Sequence, residues 1–520
     1  MIVSDTLALF FDRATNDPLQ IDNHTTWGAF WHLEKNIATP IRLVTNSFCA
    51  AGGYLSNGTM VSVGGMAAEN TEALDGRMGL RILEPCEDPD AVGCVVYDDP
   101  EHMHLVETRW YPSAMRLFDG SLMVSGGMHE ATPFYNTDPV NNYEFFPSKD
   151  GGVPRPSEVL ARAGPASMFP RTIGLPDGKV WIGVGNQTVI YDVEKNTEMR
   201  LPEVPNGVHV TNPFDGTALL LPLHPPHYTP EILICGGTTT IPGTPSANLS
   251  VHDPASSQCS RMTLTPEGIK QGWQVEHMLE SRTLLEIILL PNGQGVITNG
   301  AQTGYSGYGS VGDPIGFSNA DKPAYTPSIY TPDAPLGKRI SNKGMPTSDI
   351  ARVYHSTATL TPKGNIMIGG SNPNPDIING TTYHSEFRIE YLNPPYMTVD
   401  RPEITNFPKK IGYNTKFHMD VNIPKNLNKK NIQVALMDLG FSTHGFHQSQ
   451  LLVFMDAQLS KNGKTLTVTT PPNNRVYPPG PAYVFLTVDD VSSTGARVMV
   501  GSGAPPPVPD QGVPLSIGFD

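Results

Sequence analysis

The amino-acid sequence predicts an all-β protein in two parts, and three observations predict it. Composition is the first: 520 residues with 50 glycines and 50 prolines, 38% apolar and 16% charged, describe a folded, turn-rich chain of short strands. A phrase that recurs through the first 370 residues is the second. It consists of a turn dipeptide, a short run of β-formers and a closing glycine or glycine pair. The third is the loss of that phrase near residue 398, beyond which strands continue with a different rhythm. The length itself exceeds what one hydrophobic core usually holds, so two domains are expected.

Taken in order, the phrase occurs as NGTMVSVGG (57–65), DGSLMVSGG (119–127), DGKVWIGVG (177–185), EILICGG (231–237), NGQGVITNG (292–300) and KGNIMIGG (363–370). Asn-Gly and Asp-Gly ahead of alternating apolar residues signal β-hairpins. Hairpins recurring every 52–70 residues mark the blades of a kelch-type β-propeller, for which about 50 is typical. Six blades are legible in this way. A seventh combines SEFRIEYLNPPYM (385–397) with the N-terminal strand TLALFFD, which closes the ring and hides both edges. One stretch, TPEGIKQGWQVEHMLES, reads as helical. Residues 1–397 are thus expected to form a seven-bladed propeller. Residues 398–505, with PEITNFPKKIGYNTKFHMDVNIP, NIQVALMDLG, QLLVFMDAQLS, KTLTVTTPP and AYVFLTVDD, have the size and spacing of an immunoglobulin-like β-sandwich. Residues 506–520 form a proline-rich tail.

The net charge of -15 argues against a nucleic-acid partner, because phosphate binding needs a basic surface. No run of about 18 uncharged apolar residues occurs, so no membrane span is expected. The opening MIVSDTLALFFDR has no basic segment or cleavage site and reads as a strand under way rather than a signal peptide, which leaves open a longer precursor. Five sequons, at Asn23, Asn57, Asn186, Asn248 and Asn379, would accept N-glycans in a secreted protein. Cys86 and Cys94 flank a short polar loop, and Cys235 and Cys259 flank a Ser/Thr/Pro-rich one. Two local disulfides, Cys86–Cys94 and Cys235–Cys259, are the natural pairing and imply an oxidising, extracellular setting. Cys49 is then left over, and an odd cysteine in a secreted protein needs an explanation.

Propellers bind ligands at the central axis, where the inner strands begin, so functional side chains should stand just ahead of the repeated phrase. Cys49 does so in NSFCAAGGYLSNG, Tyr111 in RWYPSAMRLFDG, and the adjacent Tyr354 and His355 in RVYHSTATL. Neighbours on a strand point to opposite faces, so Tyr354 and His355 can share one target only if the strand is distorted there, as at a bulge. Packing offers a plainer account of each residue taken singly: a buried thiol behaves as a small hydrophobe. His102 and His104 in EHMHLVE share a strand face at a metal-like spacing, without an evident third ligand. Ser306 in GYSGYGS imitates a nucleophile elbow, but with the second glycine misplaced.

These residues, together with SFCA, ETRWYPS, TPFYNTDP, NNYEFFPSK, YTPDAPLGKRISN, YHST, QVALMDLGFSTHGFH and PPGPAYVFLTVDDV, resemble the copper radical oxidases, above all the glyoxal oxidase branch, over nearly the whole chain. The resemblance implies one copper ion (Cu2+) and a thioether joining Cys49 to Tyr111 that stores a radical. It implies copper ligation by Tyr111, Tyr354, His355 and, from the sandwich, His444, with Tyr354 as general base. His447, three residues beyond His444, is the competing ligand. A tyrosine bridged to sulfur would supply the second oxidising equivalent, which a copper ion alone lacks. Where galactose oxidase has a tryptophan eighteen positions after the bridged tyrosine, this chain has His129. That favours a small aldehyde over a sugar and makes His129 a neighbour able to donate to radical or substrate.

The reading implied is a secreted, monomeric oxidase that converts small aldehydes, as hydrates, to carboxylic acids with reduction of dioxygen to hydrogen peroxide. A secreted peroxidase would consume the peroxide. A primary-alcohol oxidase with the same centre is one alternative, and a non-catalytic kelch-type carbohydrate- or protein-binding module is another. Such a module would need neither the unpaired Cys49 nor the Tyr354–His355 pair.

Overall fold

A computed structural model describes residues 1–69, 72–130 and 134–515. Thr132 and Pro133 of the TPFYNTDP motif and the last part of the tail, 516–520, lie outside the described residues. Among the described residues, seven antiparallel sheets of three or four strands succeed one another between Leu7 and Leu392. Each opens with a leading strand: β1 (Leu7–Phe11), β2 (Ala51–Tyr54), β3 (Ser113–Arg116), β4 (Arg171–Gly174), β5 (Gly216–Leu220), β6 (Glu286–Leu289) and β7 (Ser356–Leu360). In sheets two to seven the repeated phrase supplies the second strand, joined to the leading strand by a short hairpin turn in all but the fifth, where residues 221–230 intervene between Leu220 and Glu231. The turn glycines Gly58, Gly120, Gly178, Gly293 and Gly364 all have φ between 79° and 92°, a region that costs a side chain dearly. The closing pair answers to space. A Cβ on Gly65 would lie 2.2 Å from Asn46 O, and one on Gly237 2.1 Å from His209 O.

The phrase strands are apolar on both faces because every sheet is covered on both sides. Met60 and Leu83 pack toward Leu9 and Phe30, Val61 and Val63 toward Ala114 and Val124, and Met115 and Met123 toward Val180 and Tyr191. Ile173 and Trp181 meet Ala218 and Ile234, while the fifth, sixth, seventh and first sheets share a further core. The seventh and first sheets are also tied by Trp31 Nε1, which donates to Tyr391 OH at 3.0 Å.

Three expectations change. The strand TLALFFD does not join residues 385–397; β1 pairs with Gly28–His32, in register Leu9↔Phe30, whereas Glu390–Leu392 pairs with Ile366–Gly370. The hairpin partner of β1 carries no glycine pair, which is why the first sheet is silent in the repeat. The helical stretch yields only Pro266–Gln271, capped by the Thr265 hydroxyl and stopped at Gly272 with φ 76°. The chain then extends as the strand Gln274–His277. Finally, the distortion expected at the start of β7 is present but is not a bulge: Ser356 faces Gly370 in unbroken register, and the departure is the left-handed His355 with φ 65°.

Beyond residue 400 two sheets face each other. One is built on Lys416–Asn422 and Thr465–Thr469, the other on Ile432–Asp438 and Gly480–Val488. Met419, Val421, Leu466 and Val468 pack with Val434, Leu436, Val484 and Leu486 between them. That core is continuous with Trp181, Leu220 and Ile232 of the fourth and fifth sheets. From it projects a hairpin, β8 (Phe441–Thr443) and β9 (Phe446–Gln448). The hairpin lies among the leading strands, β8 against β2 and β7, and β9 against β2 through β6. Polar stitches hold it there: Gln448 Oε1 accepts from Ala114 N at 2.9 Å, and Thr357 donates to Ser442, which donates to Glu286, both at 2.6 Å.

Candidate metal centre

The five sequence-selected residues converge, and backbone conformation explains how. Cys49 and Tyr111 stand two residues ahead of β2 and β3, and His355 directly precedes β7. His444 is at the tip of the β8–β9 hairpin. Their φ angles are 58°, 61°, 65° and 48°, all left-handed. Such a conformation costs a non-glycine residue on the order of 1–3 kcal/mol and persists only where the surroundings enforce it. Phe169 and Leu284, ahead of β4 and β6, share it with φ 51° and 62°. The inward left-handed turn is therefore a device of the ring, used at the centre to present chemistry. It also resolves the neighbouring rings. With His355 left-handed, Tyr354 and His355 reach the same spot with ring centroids 3.8 Å apart.

Buried arginines enforce two of these turns. Arg109, two residues before Tyr111, donates to Gly126 O at 2.9 Å and pairs with Glu144. Arg352, two before Tyr354, donates to Gly370 O at 2.6 Å and Arg388 O at 2.9 Å and pairs with Glu390 at 2.8 Å. Each guanidinium thus pins the entry to a leading strand onto the closing glycines of its own sheet. The signal, Arg-x-Tyr at both places, was present in the sequence and unread. The finger is anchored likewise: Arg116 of β3 pairs with Asp438 at 2.6 Å, and Asp438 accepts from Gly440 N at 2.9 Å.

At the centre Tyr111 OH and Tyr354 OH are 2.9 Å apart, and His444 Nε2 lies 3.2 Å from Tyr354 OH and 3.5 Å from Cys49 Sγ. Ligand atoms of Cys49, His355 and His444 all fall within 4.8 Å of one another. His355 Nδ1 bonds Asn372 O at 2.9 Å and His444 Nδ1 bonds the Thr443 hydroxyl at 2.7 Å. The Asn372 carbonyl can only accept, so it fixes the proton of His355 on Nδ1 and leaves Nε2 as the lone-pair nitrogen, as in ligating histidines. His355 Nε2 is buried without a partner. Burial holds His355 down to about 4 and His444 well below its ordinary value, so both rings are neutral donors. Burial also pushes the Tyr111 and Tyr354 phenols and the Cys49 thiol far up, a penalty that a bound cation reverses. Two imidazole nitrogens and two phenol oxygens suit a tetragonal Cu(II) site. The donor set fits copper.

An aromatic wall flanks Tyr111, His355 and His444. Trp110 lies 4.7 Å from Tyr111 by ring centroids, Phe169 meets Tyr111 edge-on at 5.1 Å and stacks on His444 at 4.4 Å, and Phe48 meets His355 edge-on at 5.2 Å. Sequence reasoning passed over these three, although two of them adjoin Cys49 and Tyr111 directly. A cavity of about 180 Å³, lined by β1, β7 and β8, opens onto Cys49, His355 and His444.

The remaining candidates stand elsewhere. His129 keeps its side chain 34% exposed, with its Nδ1 bonded to the Thr108 hydroxyl at 3.0 Å. His447 turns away from the centre to Leu439 O, with its other nitrogen 3.8 Å from Glu286. His102 bonds Asp99, and His104 bonds Leu105 O. Ser306 lies within the strand Ala301–Tyr308 and donates to Asp215 at 2.6 Å, so it is no exposed nucleophile. Both expected disulfides, Cys86–Cys94 and Cys235–Cys259, are formed, and Cys49 is free and buried. No described helix is long and apolar enough to cross a membrane.

The chain is similar to known proteins over both of its parts. The family model for the glyoxal oxidase N-terminus matches residues 13–396, and that for the galactose oxidase-like early set domain matches residues 401–500. Aldehyde oxidase GLOX1 of Arabidopsis thaliana is 28% identical over 483 residues, covering 89% of this chain and 72% of that protein. Aldehyde oxidase GLOX of Vitis pseudoreticulata is 28% identical over 466 residues, covering 87% and 82%. A fungal alcohol oxidase solved in complex with copper shares the fold, with a TM-score of 0.71 at 15% identity over 96% of this chain and 98% of that one. Matched over both of its parts, the chain belongs to the glyoxal oxidase family.

Proposed function

We propose that this copper radical oxidase acts on small aldehydes, taken as their hydrates, and forms carboxylic acids and hydrogen peroxide. The observation that carries the proposal is the convergence of Cys49, Tyr111, Tyr354, His355 and His444 from three strand entries and one intruding hairpin. Copper held by Tyr111, Tyr354, His355 and His444 would supply a one-electron acceptor that returns electrons to dioxygen. The chain's own groups do the rest. Tyr354, 2.9 Å from Tyr111, takes the hydroxyl proton of the substrate as general base. Tyr111, bridged to Cys49, holds the second oxidising equivalent and removes hydrogen from carbon. Trp110, Phe48 and Phe169 shield that ring from water.

The seven sheets are read as a seven-bladed kelch-type propeller over 1–397, with the immunoglobulin-like sandwich over 398–505 and the tail beyond. Two disulfides favour an extracellular setting. Asn23, Asn248 and Asn379 are exposed as glycan acceptors would be, whereas Asn57 and Asn186 are half-buried. The enzyme is read as a secreted monomer, with a peroxidase as consumer of its product. Primary-alcohol oxidation is the second reading, favoured by the name of the structural neighbour. A substrate panel on copper-loaded protein with peroxide detection separates them. Methylglyoxal, glyoxal and glycolaldehyde should be preferred to galactose. Preference for galactose, or no peroxide from any of them, overturns the proposal.

A further inference from the structure

Beside Phe48 stands one side chain that neither the donor set nor the aromatic wall accounts for. Arg13 follows β1, and its guanidinium meets Glu69 through Nε at 2.6 Å and through Nη2 at 2.5 Å. From Nη1 it donates to Tyr308 OH at 2.8 Å and to Pro375 O at 2.6 Å. Four of the five N–H groups of the guanidinium are engaged in this way, so the plane cannot swing. The partners come from different sheets. Glu69 follows the closing glycines of the second sheet, Tyr308 ends the strand Ala301–Tyr308, and Pro375 follows the closing glycine of the seventh. A parallel tie joins Asn16 to Asp376 at 2.8 Å.

This clasp lies against the centre. The guanidinium carbon is 5.0 Å from the centroid of Phe48, the ring that meets His355, and Tyr308 lies 6.5 Å from His355 and 6.4 Å from Tyr354 by ring centroids. It is also the more open layer. The Arg13 and Glu69 side chains keep 16% and 26% of their exposure, against 1% for Tyr354 and 6% for His444. A clasped ion pair, fastened through Glu69, Tyr308 and Pro375, therefore walls the Phe48–His355 side of the centre on its more exposed flank.

We propose that Arg13 is the specificity-determining residue of this oxidase, its clasped guanidinium narrowing the approach so that only small aldehydes reach the centre. The inference rests on the oxidase reading above and names what restricts its substrate. Truncating the side chain removes both the wall and the tie between the loops. The cost of fitting a bulky group against an immovable wall then disappears, while a small substrate gains little.

The test uses copper-loaded native protein, Arg13→Ala and Tyr308→Phe with glycolaldehyde and phenylacetaldehyde, read by peroxide release. The ratio of kcat/KM for phenylacetaldehyde over glycolaldehyde should rise about tenfold in Arg13→Ala, the scale on which a pocket discriminates by size. It should rise less in Tyr308→Phe, which keeps the guanidinium and loses one tie. Should Arg13→Ala fail to fold, Tyr308→Phe decides the matter alone. Ratios unchanged from the native protein overturn the proposal. Full-length protein produced without copper, in which Cys49 stays a thiol, gives a reading that needs no turnover. There, alkylation of Cys49 by a bulky maleimide relative to iodoacetamide should quicken in Arg13→Ala, and an unchanged ratio counts against the wall. If the alkylation ratio rises while no protein forms peroxide, the wall stands and the oxidase reading falls.

Discussion

At the scale of single residues, the centre depends on imidazoles kept neutral by burial, and that carries a signature in pH. His355 titrates near 4 in the folded protein, below the ordinary 6.5. Between those values the unfolded chain binds a proton that the folded chain refuses. Stability therefore falls as pH drops from 6.5 to about 4, by about 1.4 kcal/mol per pH unit for one such group. Thermal unfolding of the copper-free protein against pH should show this slope, and His355→Asn should lose about one proton's share of it. An identical slope in both proteins would mean that His355 is protonated at the centre. At this same scale the sequence was most legible. Cys49, Tyr111, Tyr354, His355 and His444 are distinctive in type and sit in long matching motifs. Their left-handed backbone was not legible, because nothing in a cysteine, tyrosine or histidine side chain announces a positive φ. Arg13 was missed for a related reason: its partners Glu69, Tyr308 and Pro375 are remote in sequence and carry no periodicity.

At the scale of elements, the hairpin that delivers His444 is as important as the histidine. Its base is held by Arg116–Asp438, both side chains almost wholly buried at 2% and 5% exposure. Removing one partner of such a pair leaves an uncompensated buried charge, at a cost of about 3–5 kcal/mol. Asp438→Asn should lower stability by that order, measured by denaturant unfolding, and should weaken copper uptake in a direct titration because the finger loosens. Copper binding as tight as in the native protein would show that the finger is positioned without this anchor. The hairpins of sheets two, three, four, six and seven were readable because their turns demand glycine, as at Gly58 and Gly120, and the fifth through its closing pair Gly236–Gly237 alone. The first sheet was not readable, because the long connection from Phe11 to Gly28 carries no such demand. The helix was overread because Gly272 stops it after Gln271, and an apolar pattern continuing beyond a glycine does not show where the backbone changes.

At the scale of the whole molecule, neither part makes the centre alone. The first part supplies Cys49, Tyr111, Tyr354 and His355, the second His444, and one continuous core joins them. Two-part construction was legible in the sequence as a change of rhythm near residue 398. The penetration of one part by the other was legible only through the motif containing His444, since a hairpin's destination is set by tertiary packing.

The proposed oxidase chemistry requires that the free thiol of Cys49 and the ring of Tyr111 become one cofactor. Peptide mass analysis after copper loading in air measures this directly. A Cys49–Tyr111 linked peptide, lighter by a pair of hydrogens than its two halves, is the expected result. A Cys49 that still alkylates freely after copper and oxygen, with Tyr111 recovered unmodified, would contradict it.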